Sequence, residues 1–130
     1  MPLPTVIETV RRHLGMYVES ETFDCVVSFL SGYDTAQSGG FLVGFREWLI
    51  VRADGANNLA WPGLVLTVLG DLQARGDSAK TINGLFDLLE EFFAARQAGD
   101  GLRKIYVEYE DWLRRQEWYT SESPSRLPAE

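Results

Sequence analysis

Histidine and cysteine each occur once in this 130-residue chain. With His13 alone, a multi-histidine metal site is impossible. With Cys25 alone, neither an intramolecular disulfide nor a cysteine-based zinc site can form. In the run FDCVVSFL the Cys25 thiol reads as a small buried side chain. Acid–base and nucleophilic catalysis draw on positioned sets of groups that usually include a histidine. His13 follows Arg11 and Arg12 with no base or nucleophile nearby in sequence, so it reads as a surface cation or polar cap at the end of a helix. No catalytic residue, metal or cofactor is assigned. Positive charge is scarce as well: 12 Lys and Arg stand against 19 Asp and Glu, a net charge of −7. Phosphate contacts need a positive field, so nucleic acid is not an expected partner, whereas a basic protein surface is. No apolar stretch reaches the length of a membrane span, and MPLPTVIETVRRH lacks the apolar run of a signal peptide. A cytoplasmic protein with no membrane partner is the expectation. The glycines of SGGFLVG lack the Lys–Ser/Thr that closes a phosphate-binding loop, and their spacing is not that of a dinucleotide fingerprint.

What is present is helical periodicity. Val6, Ile7, Val10 and Leu14 share a face after Pro4, with Thr5 and Glu8 as a candidate capping box and Gly15 as the stop. A second helix starts near Ser20 or Thr22 and carries Phe23, Val26, Val27, Leu30 and Tyr33 on one side. The apolar run LAWPGLVLTVLGDLQ has Asn58 as candidate cap and Pro62 in its first turn, and its density predicts the central, most buried helix. From Ser78, Ile82, Leu85, Phe86, Leu89, Phe92 and Phe93 form a wide apolar face. After the break at Gly99 to Gly101, Leu102, Ile105, Tyr106, Tyr109, Trp112 and Leu113 repeat the spacing. The segment FLVGFREWLIVR fits two descriptions. Phe41, Phe45, Trp48, Leu49 and Arg52 recur at helical spacing, while its β-branched residues leave a short strand near residues 48–52 as the alternative.

Short connections between helices imply an all-α, compact bundle of about five helices. Residues 1–120 are read as a single helical domain and 121–130, with two prolines and no apolar periodicity, as a flexible C-terminal tail. The predicted core contains Phe23, Val27, Leu30, Leu66, Leu69, Leu85, Phe86, Leu89 and Phe92.

The stretch Gly39 to Gly63 holds two Trp, two Arg, two adjacent Asn and five Gly, more than core packing requires. Trp and Arg dominate binding interfaces, and adjacent asparagines either cap a helix or offer hydrogen-bonding edges to a partner. Arg46, Glu47, Asp54, Asn57, Asn58 and Trp61 are therefore candidate partner-binding residues, against the alternative that they serve the fold. Carboxylates form the second candidate set. Glu90 and Glu91 are consecutive on one helix and point in different directions, so they do not make a dyad. Glu108, Glu110 and Asp111 lie between apolar positions, and Glu117 and Glu122 extend the acidic character. They read as solvated helix faces. Of these, Glu90, Glu91, Glu108, Asp111 and Glu117 are the candidates for contacting a basic partner.

Two resemblances bear on this. VIETVRRHLGMYV is similar to a segment near the start of the ATPase domain of type II topoisomerases, with Leu14 where that family has proline. The acidic–Asn helix, the Asp-x-Gly-x-Gly turn and the glycine-rich lid of that family have no counterparts here. The match is thus read as a shared helix-to-turn solution, and ATP is not an expected ligand. Across residues 5–95, the arrangement from GMYV through GYDTAQSGGFLVGFREWLIVRADGANNLAWPGLV resembles small bacterial immunity proteins of polymorphic toxin systems. That resemblance implies a cytoplasmic, non-catalytic inhibitor that occludes a cognate toxin. A basic toxin domain suits the acidic charge. The alternative is a homo-oligomeric structural or regulatory interaction protein, such as a homodimer paired through its aromatic patches.

Overall fold

A computed structural model describes residues 3–70, 78–116 and 118. It is all-α. Among the described residues six helices follow one another: α1 (Thr5–Arg12), α2 (Phe23–Ala36), α3 (Phe45–Ala53), α4 (Trp61–Leu69), α5 (Ser78–Gln97) and α6 (Gly101–Arg114), with a 3-10 turn at Leu14–Met16. The count exceeds the expected five because residues 48–52 are helical within α3, and the strand alternative is not realised. Phe45, Trp48 and Leu49 repeat at one-turn spacing and are buried together with Ile50. Helix α3 packs against α4, α5 and α6, so more than one of its faces must be apolar, which is what blurred the period in sequence.

The caps differ from two expectations. Pro4 precedes α1, and its carbonyl accepts from the backbone N–H groups of Ile7 and Glu8, both at 3.0 Å. Thr5 is therefore already helical, and its hydroxyl caps nothing. Helix α4 has Ala60 at its N-cap and Pro62 in its first turn, with no side-chain cap. Asn58 lies too far upstream for that role and is exposed. The Thr22 cap of α2 is as expected, its hydroxyl accepting from Cys25 N–H at 3.2 Å. Cys25 itself is only half-buried.

The hub of the fold is α5 rather than α4. Helix α5 packs on α2, α3, α4 and α6, and it buries Ile82, Leu85, Phe86, Leu88, Leu89, Phe92 and Phe93. Helix α4 buries only Leu64 and Val65. Leu69 is partly buried against the same core, whereas Leu66 is half-buried outside it. In α2 the inward residues are Val26 and Leu30, with Phe23 half-buried against the same core and Val27 turned to the side. Each fully buried Leu, Ile, Val or Phe contributes about 1.5–3 kcal/mol from removal of its surface from water. The Phe45, Trp48, Phe92 and Phe93 rings carry the densest part of that burial, with centroids 5.0–6.1 Å apart.

Two close approaches fix connections. Gly44, at φ +91, starts α3, and a Cβ there would lie 2.8 Å from Leu102 Cδ1. Gly101 starts α6 against the carbonyls of Ala95 and Arg96, where no Cβ can be accommodated. Among the described residues no helix is long and apolar enough to cross a membrane.

Candidate interaction surface

Four arginines strap the bundle, and each does so from an element whose neighbours need holding. Arg96 on α5 lies over the rings of Phe92 and Phe93, at 5.0 and 4.5 Å, and donates to the carbonyls of Gly40 at 3.2 Å and Val43 at 2.9 Å. Burial lowers its pKa, and the nearby Asp34 carboxylate acts in the opposite sense. Asp34 in turn accepts from Leu42 N–H at 2.8 Å. The α2–α3 turn is thus held from both sides. Arg46 on α3 donates through Nε to the Leu59 carbonyl at 3.0 Å and through Nη2 to the Asn57 carbonyl, holding the α3–α4 loop. Arg11 on α1 pairs with Asp87 at 2.8 Å and Glu90 at 3.4 Å on α5. Arg52 lies 4.6 Å over Trp48 and pairs with Glu91 at 3.0 Å.

These bonds explain much of the Arg- and Trp-rich stretch. Arg46 works inside the molecule, as does Asp54, whose Oδ1 accepts from the Trp112 indole at 2.7 Å. Asn57 contributes its carbonyl to Arg46, and Asn58 is exposed without a capping role. The acidic set divides as well. Glu90 and Glu91 are tied to Arg11 and Arg52, and Asp111 pairs with Arg114 at 3.2 Å. Glu108 is exposed on α6 and makes no ion pair among the described residues. Glu117 and the 121–130 segment lie outside the described residues.

Three of the sequence candidates, Arg46, Glu47 and Trp61, do come together at a surface. An open groove runs between the α2–α3 turn, the start of α4 and the side of α6. Val43, Arg46, Glu47, Trp61 and Tyr106 line it, with Asp34 at its edge. Val43 and Tyr106 are exposed, whereas Glu47 and Trp61 are half-buried. Trp61 is set by its contact with Phe45, ring centroids 5.7 Å apart. Burial raises the pKa of the Tyr106 phenol, and the Glu47 carboxylate raises it further. Tyr106 was not among the sequence candidates, because its spacing marks it as an apolar helix position and only the packing of α6 on α3 places it beside Glu47.

A second cleft lies where the end of α1 and the 3-10 turn meet α5, lined by Arg11, Arg12, His13, Met16, Glu21 and Asn83 among others. Here Arg11 is committed to Asp87 and Glu90, and Arg12 lies 4.0 Å from Glu8. His13 ends α1, its backbone N–H bonded to the Thr9 and Val10 carbonyls, and its side chain is exposed. No group of three or more His, Cys, Asp or Glu among the described residues is placed to hold a metal ion. The chain matches no family model, and neither the curated proteins nor the solved structures include one significantly similar to it.

Proposed function

We propose that this chain is a non-catalytic binding protein that neutralises a basic toxin domain by occluding it. The observation that carries the reading is the groove beside Glu47. It combines exposed Val43 and Tyr106 with half-buried Trp61 and a carboxylate, on turns held by Arg46 and Arg96. Aromatic side chains on a pre-organised frame bind at little ordering cost, which is what an inhibitor acting by occlusion needs. A net charge of −7 steers such a surface toward a basic partner. The resemblance to immunity proteins supplies the class of partner, a toxin acting in the same cytoplasm.

Co-expression tests this. The C-terminal domain of a large secreted protein encoded just upstream should arrest growth alone, and this chain should restore it. Growth arrest unchanged by co-expression overturns the reading. A homo-oligomer that buries the same groove is the competing arrangement, and it requires a mass above 14.7 kDa in sedimentation. A monomer over a wide concentration range sets it aside.

A further inference from the structure

We infer that the groove between the α2–α3 turn, α4 and α6 is a subsite for one arginine side chain of the partner, with Glu47 receiving the guanidinium and Trp61 and Tyr106 flanking it. This deepens the binding-protein reading and rests on it for the source of the arginine.

Glu47 is the starting point. Its carboxylate is half-buried at the first turn of α3, and it forms no ion pair among the described residues. That sets it apart from Glu90, Glu91 and Asp111, each of which has a cationic partner at 3.0–3.4 Å. The neighbouring Arg46 does not neutralise it through contact, because its Nε and Nη2 bonds go to the Leu59 and Asn57 carbonyls. Burial raises the Tyr106 pKa most, and the Glu47 carboxylate, which lines the same groove, adds to that rise. A partly desolvated carboxylate beside two aromatic side chains matches the guanidinium in both of its properties. The planar fork pairs with a carboxylate through charge-assisted bonds, and its face stacks on aromatic rings. The frame is also fixed beforehand. Phe45 sets Trp61, and the Arg96 bond to the Val43 carbonyl sets the turn that forms the opposite lip. Charge complementarity names the occupant: a cation that takes up a carboxylate lacking one.

The test uses the full chain and two blocked peptides, acetyl-Gly-Arg-Gly-amide and acetyl-Gly-Gln-Gly-amide, followed at the Trp61 indole N–H resonance, which Trp61→Phe assigns. The arginine peptide should give a saturable shift, and the glutamine peptide at least tenfold weaker binding. Glu47→Gln should weaken the arginine peptide about tenfold while the thermal midpoint stays as in the parent. Tyr106→Leu, which removes one aromatic wall, should weaken it several-fold and serves as the second variant if Glu47→Gln folds poorly. Equal binding of the two peptides, unchanged affinity in a folded Glu47→Gln or Tyr106→Leu protein, or no saturable shift in the parent would each overturn the subsite. Toxin neutralisation is read separately. Growth rescue by a chain that fails the peptide test leaves the binding-protein reading standing without this subsite. Peptide binding without rescue removes the toxin reading and leaves the subsite.

Discussion

The indole Nε1 of Trp112 donates to Oδ1 of Asp54 at 2.7 Å, which bonds the last helix to the residue that ends the third. Asp54 has left-handed backbone, φ 54 and ψ 50, a conformation open to Asp and Asn but costly for other side chains. Both properties of the residue are therefore in use. Replacing it by Ala leaves a buried indole N–H without its acceptor and adds backbone strain, and should cost about 2–4 kcal/mol. Asp54→Asn keeps an acceptor and the backbone preference, and should lose much less. Urea unfolding of the two variants decides it, and equal losses would count against the hydrogen-bond account.

Arg96 should be the most costly of the four arginines to remove. Arg96→Met keeps the apolar stem but loses the bonds to Gly40 and Val43 and the stacking on Phe92 and Phe93, for a loss of about 2–3 kcal/mol. Both bonds come from Nη1, which an ammonium can imitate, but lysine lacks the planar guanidinium that lies over Phe92 and Phe93, so Arg96→Lys should recover only part of the loss. Amide exchange should speed up in the α2–α3 turn in both variants. Unchanged exchange there would mean that Asp34 holds the turn alone.

Glycine replacement separates two kinds of tightness. At Gly44 an added methyl meets the end of a flexible leucine, Leu102, but also needs φ +91, and the loss from Gly44→Ala should be about 1–3 kcal/mol. At Gly101 it meets the Ala95 and Arg96 carbonyls, which cannot rotate away, so Gly101→Ala should cost more than Gly44→Ala. The reverse order of thermal midpoints would show that α6 can slide along α5.

Helices α2, α5 and α6 were legible because they run for 14, 20 and 14 residues, long enough for apolar residues at helical spacing to declare a period, against 9 residues in α3. Ile82, Leu85, Phe86, Leu89 and Phe92 lie where their spacing puts them. Helix α3 was ambiguous for a physical reason: with α4, α5 and α6 around it, Ile50 is buried as fully as Leu49, and no single stripe survives. The centrality of α4 was misread because apolar density does not report which side faces a neighbour. In the candidate surface, residue types pointed to Glu47 and Trp61, but not to what Arg46 and Asp54 bond. Those bonds reach across 11–13 residues for Arg46 and 58 for Asp54, distances over which local pattern carries no information.

Tyr106 gives a pH dependence. Its pKa is raised in the folded chain by burial and then by Glu47, so the folded state holds the phenolic proton more tightly than the unfolded state does. The stabilisation is complete below the unfolded value of about 10 and is lost as pH rises through the folded value. Tyr106→Phe should therefore flatten the alkaline side of the stability curve and leave it unchanged near neutrality. A parallel decline in parent and variant above pH ~10 would assign the effect to other groups.

Charge reversal should separate steering from structure. Glu108→Lys changes an exposed carboxylate that makes no ion pair among the described residues, and should slow association with a basic partner while the thermal midpoint holds. Glu90→Lys places a cation against Arg11 and should lower the midpoint as well. Stopped-flow rates at low and high salt check the first. A rate indifferent to salt and to Glu108→Lys would leave the acidic face with no part in recognition.

The Arg96 strap also sets an order in time. Arg96 lies 56 residues beyond the Gly40 carbonyl that it holds, and Arg11 waits still longer for Asp87, 76 residues on. A ribosome adds about 5–20 residues per second, so the α2–α3 turn goes without its clasp for roughly 3–11 s during synthesis. Both lips of the groove then close around a part of the chain made late. A nascent fragment ending before α5 has the Arg46 strap but neither the hub nor the partners of Arg11 and Arg52 nor Arg96 itself, and the binding surface comes into being only near the end of translation.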